Sequence, residues 1–193
     1  MNKQYQQVPE SAPRIGNGFT RFVGRMLLRI VGYKIEGRFA DEPKMIIIAA
    51  PHTSNWDLII ALGTILSLGV RINFMMKKEA FFFPFKGLFI ALGGVPIDRS
   101  NPKATVKQIL RTFEQRDKFW YAILPEGTRK PVKSWKSGFI RIAEKADVPI
   151  FIMGVNSRTK TLHLDRLARE GESIQALRQY VKDTFTGVNP KND

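Results

Sequence analysis

The chain has 193 residues, of which 44% are hydrophobic, enough for one domain with its own core. It contains no cysteine, which excludes disulfides, thiolate metal sites and cysteine nucleophiles together. Lys and Arg outnumber Asp and Glu by 31 to 17, and the resulting +14 charge and pI near 10.2 point to polyanionic partners: nucleic acid, anionic lipid or phosphorylated ligands.

Residues 1–13 are polar with two prolines and are expected to form a flexible tail. They contain no apolar block of the kind a secretory signal needs, so an intracellular protein is expected. Residues 14–32 read as a basic amphipathic helix. Phe19, Phe22, Val23, Met26, Leu27 and Ile30 share one face, and Arg21, Arg25 and Arg29 recur along another. Leu28 falls off the apolar stripe, and Gly24 weakens the helix. Such a segment can lie at a lipid interface or pack on the core with its charged face in water.

Gly37 and Asp41-Glu42-Pro43 mark a turn before the β-branched run at Met45-Ile46-Ile47-Ile48. That strand leads into Pro51-His52-Thr53-Ser54-Asn55-Trp56-Asp57, and the apolar run from Leu58 to Leu68 continues as a helix. The apolar stretch Leu58 to Val70 is shorter than the ~18 residues of a spanning helix. His52 therefore sits in a turn at a strand end, and Asp57 opens the next helix. A His so placed can take a proton while the Asp holds its ring in one tautomer.

A second strand is expected at residues 71–77. It is followed by a segment with five phenylalanines in nine residues, Phe81 to Phe89. These aromatics suit a core, a greasy channel or a bilayer surface. Gly93-Gly94-Val95-Pro96-Ile97-Asp98-Arg99 reads as a tight turn, a short strand and a charged exit. A helix from Asn101-Pro102 to about Arg116 precedes the third clear strand, Phe119 to Leu124, which runs into Pro125-Glu126-Gly127-Thr128-Arg129. A loop rich in Lys and Arg follows, then a helix over 138–145 and a strand over 148–153. Thr161 to Asp165 alternates as an edge strand would, and residues 172–185 close the domain as a helix. The tail over 187–193 is polar.

Strands alternating with helices predict an α/β sandwich: one domain over 14–186, with a largely parallel central sheet flanked by helices. Ligands of such sheets bind beyond the carboxyl ends of strands. His52, Lys77 and Glu126-Gly127-Thr128-Arg129 each follow an expected strand.

Taken together, His52-x4-Asp57, Lys77-Lys78-Glu79 with Gly93 to Arg99, Pro125-Glu126-Gly127-Thr128-Arg129 and Val148-Pro149-Ile150 resemble the glycerolipid acyltransferase family. That family includes the lysophosphatidate and glycerol-3-phosphate acyltransferases, and the resemblance covers about residues 44–155. It implies a glycerol-3-phosphate acyltransferase-like fold. It also implies transfer of an acyl group from acyl-CoA or acyl-carrier protein, as substrate and not cofactor, to a lysophospholipid, most simply lysophosphatidate. His52 would be the general base and Asp57 its orienter, with the substrate alcohol standing where a serine protease has its serine. Arg129 would bind the acceptor's phosphate bidentately, Gly127 would admit it closely, and Thr128 would donate a hydrogen bond. Lys77 and Arg99 would add charge. Glu126 would orient Arg129 or hold the loop by accepting backbone N–H groups.

Two distant histidines, His52 and His163, make a poor ligand set, so no metal is expected. An anionic membrane surface is the expected partner, with the protein peripheral on its cytoplasmic face. No nucleic-acid motif is visible, and nucleic acid is not an expected partner. Two alternatives follow from the same residues: another acceptor, such as a lyso-amino-acid lipid, or a non-enzymatic binder of anionic lipid or nucleic acid.

Overall fold

The computed structural model describes residues 7–54, 56–84, 86–97, 101–128 and 132–187. In chain order its elements are α1 (Gly18–Val31), β1 (Lys34–Gly37), β2 (Lys44–Ala49), α2 (Trp56–Leu68), β3 (Ile72–Lys77), α3 (Lys86–Ala91), β4 (Gly94–Ile97), α4 (Pro102–Gln115), β5 (Phe119–Ile123), α5 (Gly138–Ala146), β6 (Ile150–Asn156), β7 (Thr161–Leu167) and α6 (Ile174–Thr184).

The unbroken apolar run of β2 shows how the layers form. A strand covered on both faces has no polar side, so it reads as continuous hydrophobics. Met45 and Ile47 point into a core with Leu28, Ile60, Ile65, Trp120 and Phe151, beneath α1 and α2. Ile46 and Ile48 point into a second core with Ile109, Phe113, Phe139 and Leu177, beneath α4, α5 and α6. All four β2 residues are fully buried. The sheet between these cores has seven strands in the order β1-β7-β6-β2-β5-β3-β4. Every pairing is parallel except β6 with β7. The largely parallel α/β sandwich read from the sequence is the fold observed.

Three local readings change. Residues 7–13 are packed, and do not form a free tail. Val8 and Ala12 are buried in the first core, Phe39 N–H donates to the Gln7 carbonyl, and Arg71 N–H donates to that of Pro13. Strand β1 lies outside β7, so β7 is not the sheet edge. The last helix begins after Ser173, whose hydroxyl caps it. Glu172 stays out of the helix and grips the Arg166 guanidinium through both carboxylate oxygens, at 3.0 and 2.9 Å. That bond chiefly holds the Glu172 carboxyl below its usual range.

Helix α1 forms where expected, for identifiable reasons. Asn17 caps it through Phe19 and Thr20 N–H groups, the Thr20 hydroxyl accepts from Asn17 N–H, and Gly32 ends it with φ 75°. Its orientation is the opposite of what its apolar stripe suggests. The buried residues are Gly24 and Leu28, and the stripe of Phe19, Phe22, Val23, Met26 and Ile30 faces outward, with Ile30 77% exposed. The reason is a close approach to α2. A Cβ built on Gly24 would lie 2.3 Å from Ser67 N and 2.7 Å from Leu66 Cβ, and one on Gly63 would touch Leu28 at 3.0 Å. Gly24 is where the two helix backbones meet. Arg21, expected on a solvated face, folds against Gly69 at the end of α2, where a helix C-terminus favours positive charge.

Gly24→Val should push the two helices apart. By the scale of core overpacking, about 1–3 kcal/mol, the melting temperature should fall by roughly 2–10 °C in calorimetry. An unchanged melting temperature would contradict this contact.

Candidate active site

Parallel pairing brings strand ends to one edge. β5 lies between β2 and β3, and β4 flanks β3. The carboxyl ends of β2, β5, β3 and β4 are therefore neighbours, in that order. His52 and Glu126 follow the first two of these ends, and Lys77 closes the third.

The β2 exit is organised by one oxygen. Asp57, the second residue of α2, turns its carboxylate back over the loop. Its Oδ2 accepts from Thr53 N–H at 2.9 Å and Ser54 N–H at 2.9 Å, and lies 2.8 Å from His52 Nδ1. Because a carboxylate accepts and does not donate, this bond places a ring proton on Nδ1, and in the neutral ring the lone pair is then on Nε2. The His52 and Asp57 side chains are only 18% and 15% exposed, which strengthens the bond between them. The other oxygen, Oδ1, is buried with no hydrogen-bond partner among the described residues. Burial first, and the Asp57 charge second, push the Tyr33 phenol above its ordinary range, which places Tyr33 in the field of this carboxylate.

The β5 exit is tied directly to this loop. Glu126 Oε2 accepts the His52 backbone N–H at 2.7 Å, across 74 residues of sequence. The backbone that Glu126 holds through this bond is thus that of His52 and not of its own loop. Gly127 N–H donates to the Leu124 carbonyl at 3.0 Å, and the residue takes φ 67°, a conformation that favours glycine. Thr128 is exposed next to it. Lys77 closes β3 one strand away, in register with Ile97 of β4. Arg99 and Arg129 lie outside the described residues.

A family model described as acyltransferase matches residues 33–156, more than half of the chain. The chain belongs to the acyltransferase family. This agrees with the glycerolipid acyltransferase resemblance carried by the four motifs. A 1-acyl-sn-glycerol-3-phosphate acyltransferase of Cocos nucifera is 33% identical, over 75% of this chain and 48% of that protein. One of Pseudomonas aeruginosa is 29% identical, over 68% of this chain and 53% of that protein. The chain thus spans about half the length of these relatives. The crystal structure of the 1-acyl-sn-glycerophosphate (LPA) acyltransferase PlsC from Thermotoga maritima shares the fold, with a TM-score of 0.63 and 21% identity over 86% of this chain and 74% of that one.

Within this acyltransferase fold, the contact that spacing could not foresee is the one from Glu126 to His52. Its signal was topological: two parallel strands that pair directly deliver their exits side by side. The paired amides of Thr53 and Ser54 were legible in principle, because an acidic side chain in the first turn of a helix can reach back to the N–H groups that precede it, as in a capping box.

Glu126→Ala removes the acceptor of the His52 amide. That amide proton should exchange with solvent at least about tenfold faster in a hydrogen-exchange experiment, while core amides of β2 keep their protection. Unchanged exchange at His52 would contradict the tether.

Proposed function

We propose that this protein transfers a fatty acyl group from acyl-CoA or acyl-carrier protein to the free hydroxyl of a lysophospholipid, lysophosphatidate by preference. The observation that carries this reading is His52 Nδ1 held on Asp57 at 2.8 Å, in a loop that Glu126 ties to the β5 exit. The names of the Cocos nucifera and Pseudomonas aeruginosa relatives support the acceptor.

The reaction follows from the tautomer. His52 Nε2 accepts the proton of the acceptor hydroxyl as the oxygen attacks the thioester carbonyl. The imidazolium that forms is stabilised by Asp57. The tetrahedral intermediate collapses with loss of thiolate, which takes the proton back from His52 and leaves as free thiol. The products are an ester and a thiol, with the base restored. No protein nucleophile is consumed. The acceptor's phosphate docks on Gly127, Thr128 and Arg129, with Lys77 and Arg99 contributing positive charge from the adjacent strand ends.

The acceptor and donor chains are lipids, and the molecular surface suits them. None of the described helices is long and apolar enough to cross a membrane. Besides the outward stripe of α1, other apolar residues are exposed. Trp56 and Leu58 start α2, Phe82 and Phe83 follow β3, with Phe83 93% exposed, and Leu124 follows β5. Single exposed apolar residues are common, but five along one helix, Phe19, Phe22, Val23, Met26 and Ile30, are not. We place this surface on an anionic bilayer, on its cytoplasmic side, with Arg25 and Arg29 of α1 exposed to meet lipid headgroups.

Free-thiol release from acyl-CoA across a panel of lysolipids should be fastest with lysophosphatidate. His52→Ala should lower that rate by about a hundredfold or more without unfolding the chain. Wild-type turnover in purified His52→Ala protein would overturn the mechanism. Separately, replacing Phe19, Phe22 and Ile30 by Ser should weaken flotation with phosphatidylglycerol vesicles by roughly tenfold or more. Undiminished flotation would overturn the membrane orientation.

A further inference from the structure

The loop between β5 and α5 carries a cation that none of the four motifs includes. Its backbone is fastened on both sides. Trp135 is buried in the second core, its ring edge-on to Phe139 at 6.2 Å. Lys136 N–H donates to the Pro125 carbonyl at 3.0 Å, and the Arg178 guanidinium donates to the Val132 carbonyl at 2.6 Å. These contacts leave the Lys136 side chain exposed but fix where it begins.

From there the side chain lies across Gly127. A Cβ built on that glycine would meet Lys136 Nζ at 3.1 Å, Cε at 3.3 Å and Cδ at 3.5 Å. The bare glycine is what lets the stem settle there, with the ammonium beside the turn. The preceding residue, Glu126, holds the His52 amide. Lys136 is therefore a positive charge at the loop that joins the two strand exits. Among the described residues no carboxylate lies within ion-pair distance of it. A surface lysine usually sweeps through solvent at the cost of little order. This one lies over the Gly127 turn.

We propose that Lys136 is a phosphate-recognition residue of the acceptor site, acting with the Gly127-Thr128 turn on the phosphate monoester of lysophosphatidate. Lysine binds phosphate as a compact point charge. This assignment rests on the acyltransfer reading above, and it adds the residue that senses the acceptor's charge. It predicts that Lys136 discriminates between acceptors by their phosphate and is indifferent to the acyl donor.

The full chain, Lys136→Gln and Lys136→Arg should be compared by thiol release from acyl-CoA, with lysophosphatidate and with phosphate-free monoacylglycerol as acceptors. Lys136→Gln should raise KM for lysophosphatidate about tenfold or more. Its kcat, its KM for acyl-CoA and its KM for monoacylglycerol should stay within about twofold, and Lys136→Arg should recover most of the loss. An unchanged KM for lysophosphatidate overturns the assignment, as does an equal rise for both acceptors or a rise confined to acyl-CoA. Tryptophan fluorescence titration with monomeric lysophosphatidate reads binding without turnover. Weaker binding by Lys136→Gln, in a protein whose wild type releases no thiol, would keep Lys136 as a phosphate ligand and overturn acyl transfer instead. Equal binding by the two proteins would overturn the Lys136 assignment alone.

Discussion

The reactive edge depends on one carboxylate oxygen. Asp57 Oδ2 takes the His52 ring and two loop amides at once. Each bond alone is modest in water, but a partly buried carboxylate with three donors defines its surroundings more strongly than any pair would. The oxygen sets the ring's tautomer, the path of the loop and the start of α2 together. Glu126 then repeats the device from the neighbouring strand, by holding the backbone of the same histidine. Two acidic residues thus position His52 by different atoms, one through the ring and one through the main chain.

Parallel topology makes such a junction inexpensive in chain length. β2 and β5 pair side by side although nearly seventy residues lie between them, and their exits meet without any connecting loop having to reach. The same layering explains α1. A helix can pack by its largest apolar side chains or by closest backbone approach, and α1 does the second, through Gly24 against α2. Its phenylalanines are then left facing out, so a stripe that looks like a core face is in fact a surface.

Much of this was readable from the sequence, for reasons that can be named. The four-residue apolar run of β2 announced a strand covered on both faces. Asn17 and Gly32 bracket α1 by capping chemistry that depends on neighbours alone. His52 and Asp57 sit close enough in sequence for their bond to be expected. What was not readable depended on distant partners. Gly24 looks like a weak helix residue until α2 is present. Residues 7–13 look like a tail until Val8 and Ala12 meet the first core. β1, four residues containing both Lys34 and Glu36, has no hydrophobic alternation to announce it and exists because β7 offers it a ladder. Lys136 belongs to no motif and acquires its place from Trp135 and Pro125.

The two outermost strands carry a consequence for solution behaviour. β1 and β4 have four residues each, the shortest strands among the described residues. β1 is lined by a Lys34–Glu36 ion pair, and β4 contains Pro96, which has no N–H to offer a newcomer. Short, charged or proline-bearing borders discourage a second sheet from docking edge to edge. A strongly basic protein is thereby protected against fibrillar stacking, and can reach high concentration without polymerising through its strands.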